Sequence, residues 1–243
     1  SQLEVADTNP AISGQSNSFS VDNGALHHFT FTTNPAAAVV AGVGIDVVIQ
    51  ARDEDDNLVD NFNGTVTVSD STGTVEEGSV GSADTTLQFT SGKYDTALEG
   101  KLFITKAQNG NVKLTVTDGT HIGESSLFTV EPASADKFTV VTSIGSQVVG
   151  VPFNVKVEAR DTYNNVLSFG GNAYTDSDAT LVDVGDGLTV TPGTLDFSTT
   201  PGVWEGSVTL SGTISTGTSQ LEVADTNPAI SGQSNSFSVD NGA

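Results

Sequence analysis

Two loops carry the residues best suited to hold an ion. Asp53, Asp55 and Asn57 fall at positions x, x+2 and x+4 of the run Asp53-Glu54-Asp55-Asp56-Asn57, the spacing that opens an EF-hand calcium loop. The glycine at its sixth position and the glutamate at its twelfth are missing. The matching stretch of the second half is Asp161-Thr162-Tyr163-Asn164-Asn165, in which Asp161 and Asn165 keep the outer places. Oxygen-only donors suit a hard cation, so the ion these loops would take is Ca²⁺. The same acids also read as a solvated loop on a highly charged protein. A further acidic stretch runs from Asp176-Ser177-Asp178 to Asp183-Val184-Gly185-Asp186-Gly187. It offers the same ligand chemistry, but Asp-x-x-Asp-Gly is equally the composition of a tight turn, and turn is the better reading.

Other chemistry finds no residues to carry it. His27, His28 and His121 have no glutamate at ligand spacing and read as surface residues, not as a zinc site. No Gly-x-Ser-x-Gly occurs, and the loop acids lack an apolar wall to raise a carboxyl pKa. The sequence therefore predicts no enzyme. Trp204, Tyr94, Tyr163 and Tyr174 are the aromatics that could stack on a sugar. Trp204 reads as core or rim packing, and Tyr163, in a loop expected to be exposed, is the best single candidate for a contact. Thr65, Thr67, Thr115 and Thr117 on alternate strand positions raise ice or carbohydrate binding, though threonine is also a good strand former on a wet face. A Lys137–Asn235 isopeptide bond is conceivable, with no counterpart pair in the first half.

Composition narrows the partners. Thirty acidic side chains against eight basic ones give a formal charge of −22 over 243 residues, which excludes a nucleic-acid binder and argues against anionic membrane. No apolar run approaches the roughly 20 residues of a spanning helix. No signal peptide opens the chain, as expected of a mature or internal segment. With no cysteine, disulfides and thiolate metal sites are excluded.

Repeats set the organisation. Residues 1–25, SQLEVADTNPAISGQSNSFSVDNGA, recur letter for letter as residues 219–243, an offset of 218. A weaker repeat of half that length relates the stretch from Phe29 to the stretch from Phe138, Phe62-Asn63-Gly64 to Phe169-Gly170-Gly171, and Glu99-Gly100 to Glu205-Gly206. The expected units are 26–134 and 135–243, with 1–25 the closing hairpin of a preceding unit.

Each half alternates with period two. Ile45, Val47, Ile49 and Ala51 alternate with Asp46, Val48, Gln50 and Arg52, as Phe153, Val155, Val157 and Ala159 do with Asn154, Lys156, Glu158 and Arg160. One apolar face at that period is a half-buried strand. Similar runs at 26–33, 64–69, 85–90, 99–105, 111–118 and 124–131 are separated by Asp, Asn, Gly and Pro. Seven or eight short strands in ~100 residues predict an all-β fold, two tandem Ig-like antiparallel sandwiches.

The run Ala135-Asp-Lys-Phe138, then Gly150-Val-Pro-Phe-Asn-Val-Lys-Val-Glu-Ala-Arg-Asp161 and Asn164-Asn165, resembles the Ig-like repeats of bacterial and archaeal surface proteins, of the invasin and filamin-like type. Phe62-Asn-Gly-Thr-Val-Thr-Val68 and Val112-Lys-Leu-Thr-Val-Thr-Asp118 resemble the same repeats, and the likeness covers the whole chain. It implies an extracellular or cell-surface stalk, adhesin shaft or fibre whose partners are further copies of itself.

In such a sandwich, the loop after the second strand and the loop between the last two strands lie beside the incoming linker. Each junction should then gather acids from three places: Asp22 with Asp53, Asp55, Asn57 and Asp118 in the first half, and Glu131 with Asp161, Asn165 and Asp225 in the second. The expected function is a structural repeat that gives length and stiffness, rigidified at its junctions by Ca²⁺. The rival is an adhesion module whose loops bind glycan, ice or a host protein.

Overall fold

The computed structural model describes residues 1–242, and among them the chain is all strand and turn, with no helix. Accordingly, no helix is long and apolar enough to cross a membrane.

Alternation builds the first sandwich. Ile45, Val47, Ile49 and Ala51 all point inward and are almost wholly buried. Val48–Arg52 lies between His28–Thr33 and Lys93–Asp95, and an Ile45–Leu102 bridge extends this layer to Leu102–Ile104 and Val75–Glu77. The other layer orders Ile122–Glu124, Leu114–Thr117, Thr65–Asp70 and Thr86–Gln88, beside Gln108–Val112, Phe128–Glu131 and Ala38–Val40. Both layers feed one core that includes Phe29, Ile49, Leu87, Phe89, Leu102 and Val116. Where Thr96–Glu99 interrupts the ladder, the buried Thr96 hydroxyl restores it, accepting from the Val47 N–H at 2.9 Å and donating to the Val47 carbonyl at 3.1 Å.

The second sandwich repeats the plan with fewer breaks. Ala135–Val140, Phe153–Asp161, Val203–Ser211 and Thr189–Thr191 form one layer. Thr194–Leu195, Ala179–Asp183, Leu221–Thr226 and Ala229–Gln233 form the other, next to Gln147–Val148, Phe237–Asp240 and Thr218–Ser219. Its separate core includes Phe138, Val157, Leu181, Phe197, Leu210 and Val223, with Trp204 packed against it.

One pairing in each unit departs from a purely antiparallel sandwich. Ala38–Val40 runs parallel to Phe128–Glu131, and Gln147–Val148 parallel to Phe237–Asp240. In the first unit the opening strand ends at Thr33, Asn34 and Pro35 interrupt it, and the chain changes layers before pairing again; proline has no N–H to continue a ladder.

Residues 1–25 begin with a hairpin of Glu4–Thr8 and Ala11–Gln15. Its register matches that of Leu221–Thr226 with Ala229–Gln233 pair for pair: Val5 faces Gly14 as Val223 faces Gly232.

Candidate functional site at the unit junction

Asp161 ends the strand Phe153–Asp161 with its side chain fully buried. One carboxylate oxygen accepts the N–H groups of Tyr163 (2.9 Å) and Asn165 (2.8 Å). The other accepts the linker N–H of Ala133 and the Asn165 side-chain amide, each at 2.8 Å. Asn165 then reaches across the joint: its amide donates to the Thr105 carbonyl at 2.8 Å and its oxygen accepts the Ala107 N–H at 2.9 Å. Glu131 accepts the Gly171 N–H at 2.9 Å, and the Asn172 amide donates to the Pro132 carbonyl at 3.0 Å, so the linker is held on two sides.

Tyr163 is not the exposed contact residue expected from its polar loop. It is half-buried and packs against the core of the first sandwich. It sits over Gly42, where a Cβ would lie 2.0 Å from the phenolic oxygen; Gly42 has a φ of +74°, so both its space and its backbone require glycine.

The first unit builds the same loop on Asp53. Its carboxylate accepts Gly24 N–H at 2.7 Å, Asp55 N–H at 3.0 Å, Asn57 N–H at 2.8 Å and the Asn57 amide at 3.2 Å. The Gly24 N–H, aided by the Asn57 and Asp55 groups, holds this carboxyl below its ordinary range against the opposing effect of burial. Arg52 braces the loop by donating to the Asp56 carbonyl, as Arg160 does to Asn164. Asp53 and Asp161 thus turn their oxygens to N–H donors, which makes each the anchor of a linker.

Of the acids expected to meet at the first junction, Asp22, Asp53 and Asp55 line one cavity with Asn57 beside the linker, while Asp118 has its own partners. Asp22 and Asp55 are exposed. Asp118 pairs with His121 Nδ1 at 2.9 Å and accepts two backbone N–H groups. Burial pushes its carboxyl up, but the His121 ring and these donors prevail and bring it down to about 2. A carboxyl lowered on folding contributes stability above its unfolded pKa, and that contribution is lost as pH falls through the folded value. Asp118→Asn should therefore flatten the melting temperature between about pH 4 and pH 2. Identical pH–melting profiles for variant and parent would refute this role for Asp118.

Asp225 has different company. With Asp176 and Asp178 it forms a group whose ligand oxygens lie within 4.8 Å of one another, the one such grouping among the described residues. The stretch read as a turn therefore supplies two carboxylates to a third from the last hairpin. Tyr174 donates its hydroxyl to Asp225, and the Asn227 N–H adds a bond at 3.0 Å. Burial raises the Asp225 carboxyl, yet these donors keep it below its usual value, while the neighbouring Asp176 pushes Asp178 up. Three oxygen donors carrying mutual repulsion can hold a metal ion. Sequence pattern alone missed this grouping, because its members come from distant segments. Asp183, by contrast, closes its own turn, accepting Leu188 N–H at 2.9 Å, and Asp186 ties that turn to a distant loop, accepting Thr216 N–H at 2.6 Å.

The residues considered for an isopeptide bond have other partners. Lys137 lies 3.7 Å from Asp136, and the Asn235 amide is engaged with the Ile144 backbone.

No protein-family model matches the chain, and no curated protein does. Among solved structures, domains 4 and 5 of the S-layer protein SbsC align at 12% identity over 90% of this chain and 99% of that one, with a TM-score of 0.33. Titin domains Z1Z2, solved in complex with telethonin, align at 13% identity over 90% and 100%, with a TM-score of 0.26. A β-glycosidase from Bacteroides vulgatus aligns at 12% identity over 82% of this chain but 23% of its own, with a TM-score of 0.34. The Ig-like sandwich assignment rests on the strand order and the two cores above.

Proposed function

We propose that the chain is a structural repeat segment of an extracellular fibre, stalk or adhesin shaft, of the invasin and filamin-like kind. Its units are 26–134 and 135–243, and residues 1–25 close a preceding unit. The joint carries this reading. A short linker pinned by Asp161, with Asn165 and Tyr163 reaching onto the preceding sandwich, opposes bending between neighbours. The surplus of acids keeps neighbouring rods soluble and apart. Ca²⁺ completes the proposal, taken by Asp176, Asp178 and Asp225, whose oxygen-only donor set it fits.

Small-angle scattering tests the rod. Two sandwiches of about 40 Å stacked end to end, with the hairpin of residues 1–25 added, predict a longest dimension of at least about 80 Å, and a compact, side-by-side envelope would end the spacer reading. Calcium has its own test. Saturating Ca²⁺ should raise the melting temperature on the order of 10 °C over chelator, and Asp178→Asn should abolish the gain. Equal melting in Ca²⁺ and chelator would remove the ion from this account.

A further inference from the structure

The chain contains one 25-residue sequence in two environments. Leu3, Val5, Ile12, Phe19 and Val21 are 41–73% exposed, whereas the same five side chains in the second copy, Leu221, Val223, Ile230, Phe237 and Val239, are 0–6% exposed within the core of the second sandwich. The first copy is already folded for that environment. Leu3 N–H donates to Ser16 Oγ at 2.9 Å, as Leu221 N–H does to Ser234 Oγ at 3.0 Å. Phe19 N–H donates to the Ser1 carbonyl at 2.9 Å, and Ser219 pairs with Phe237 in the same way.

One glycine shows what the exposed face is shaped to meet. Gly232 packs so tightly on the opening strand of its sandwich that a Cβ would lie 2.0 Å from the Phe138 carbonyl oxygen. Gly123 is set against Phe29 likewise, at 2.4 Å. Gly14, the first-copy equivalent of Gly232, touches only Val5 of its own hairpin, at 3.9 Å. Beyond the hairpin, Gly24 is fastened to Asp53 just as Ala133 is to Asp161, so the joint to a completed upstream sandwich is already set.

From these observations we infer that residues 1–25 are competent as a donor hairpin, closing the second sandwich of another copy of this chain when that copy's own residues 219–243 are displaced, with the apolar face seated on residues 135–218. The donor precedes the first sandwich and the acceptor is the second, so exchange is head to tail and open-ended, giving a linear assembly. In the intact chain the tethered copy prevails, because its effective concentration is on the order of millimolar. Exchange takes over once that copy is disabled. The inference rests on the repeat and its two environments, independently of the spacer reading.

The test uses the full chain carrying Leu221→Asp and Val223→Asp, which unseats the C-terminal copy and leaves residues 1–25 unchanged. Sedimentation velocity should show a ladder of oligomers that lengthens with concentration. Trp204, the sole tryptophan, should keep its parental emission there because the second core is rebuilt. Adding Gly14→Leu makes the donor more apolar but places a side chain where the opening strand must pack, so it should return the protein to monomer. A monomer at every concentration without Gly14→Leu would overturn the inference. So would a ladder that Gly14→Leu leaves intact, since that is sticking through apolar surface. Either failure leaves the scattering test of the rod untouched.

Discussion

Asp161→Ala should be the most damaging single change at the joint, lowering stability by about 3 kcal/mol, or roughly 15 °C in the melting temperature of the second sandwich. The carboxylate is fully buried and accepts four hydrogen bonds, from the linker, its own loop and Asn165. Alanine leaves these donors without acceptors in a space that water does not reach, and a buried unpaired donor costs more than an ordinary hydrogen bond contributes. Asp161→Asn separates this from a general need for polarity. One oxygen would still serve Tyr163 and Asn165, but the new amide would point its hydrogens at Ala133 N–H and the Asn165 amide. The asparagine variant should therefore recover less than half of the loss in calorimetry. Full recovery would mean that the second oxygen does little.

The second large effect is expected at Gly42. Gly42→Val places a β-branched residue at a φ of +74°, a backbone region that such residues avoid, and drives its Cβ into the Tyr163 hydroxyl. Relief requires the ring to leave, and with it goes the packing that joins the two sandwiches. A loss of about 2–3 kcal/mol in the first sandwich is expected, along with a broader distribution of angles between the units in scattering. Tyr163→Ala divides the two causes. It removes the collision but leaves the backbone strain, so the double variant should recover part of the stability and none of the alignment. Unchanged scattering from Gly42→Val would show that the ring does not set the angle.

The layers and the repeat were legible in the sequence because period-two alternation and verbatim recurrence are local signals. Orientation was not. Asp53 and Asn57, like Asp161 and Asn165, have a spacing that reads equally as the start of a calcium loop or as a carboxylate closing a turn on backbone N–H groups. The two readings differ only in where the oxygens point. One clue was present: the outer pair recurs in both halves, while Glu54-Asp55-Asp56 gives way to Thr162-Tyr163-Asn164. What recurs is the anchor, and what varies faces outward or across the joint. Tyr163 misled because its neighbours are polar and its partner, Gly42, belongs to the other unit. Asp176, Asp178 and Asp225 meet only after the layers have assembled.

The parallel pairing of Ala38–Val40 with Phe128–Glu131 has a mechanical meaning. The chain enters each sandwich by its opening strand, reaches one of these strands next and leaves from the other, so tension passed on beyond the opening strand slides the two lengthwise. Their hydrogen bonds are strained together in shear, whereas an antiparallel hairpin pulled from its open end would unzip one pair at a time.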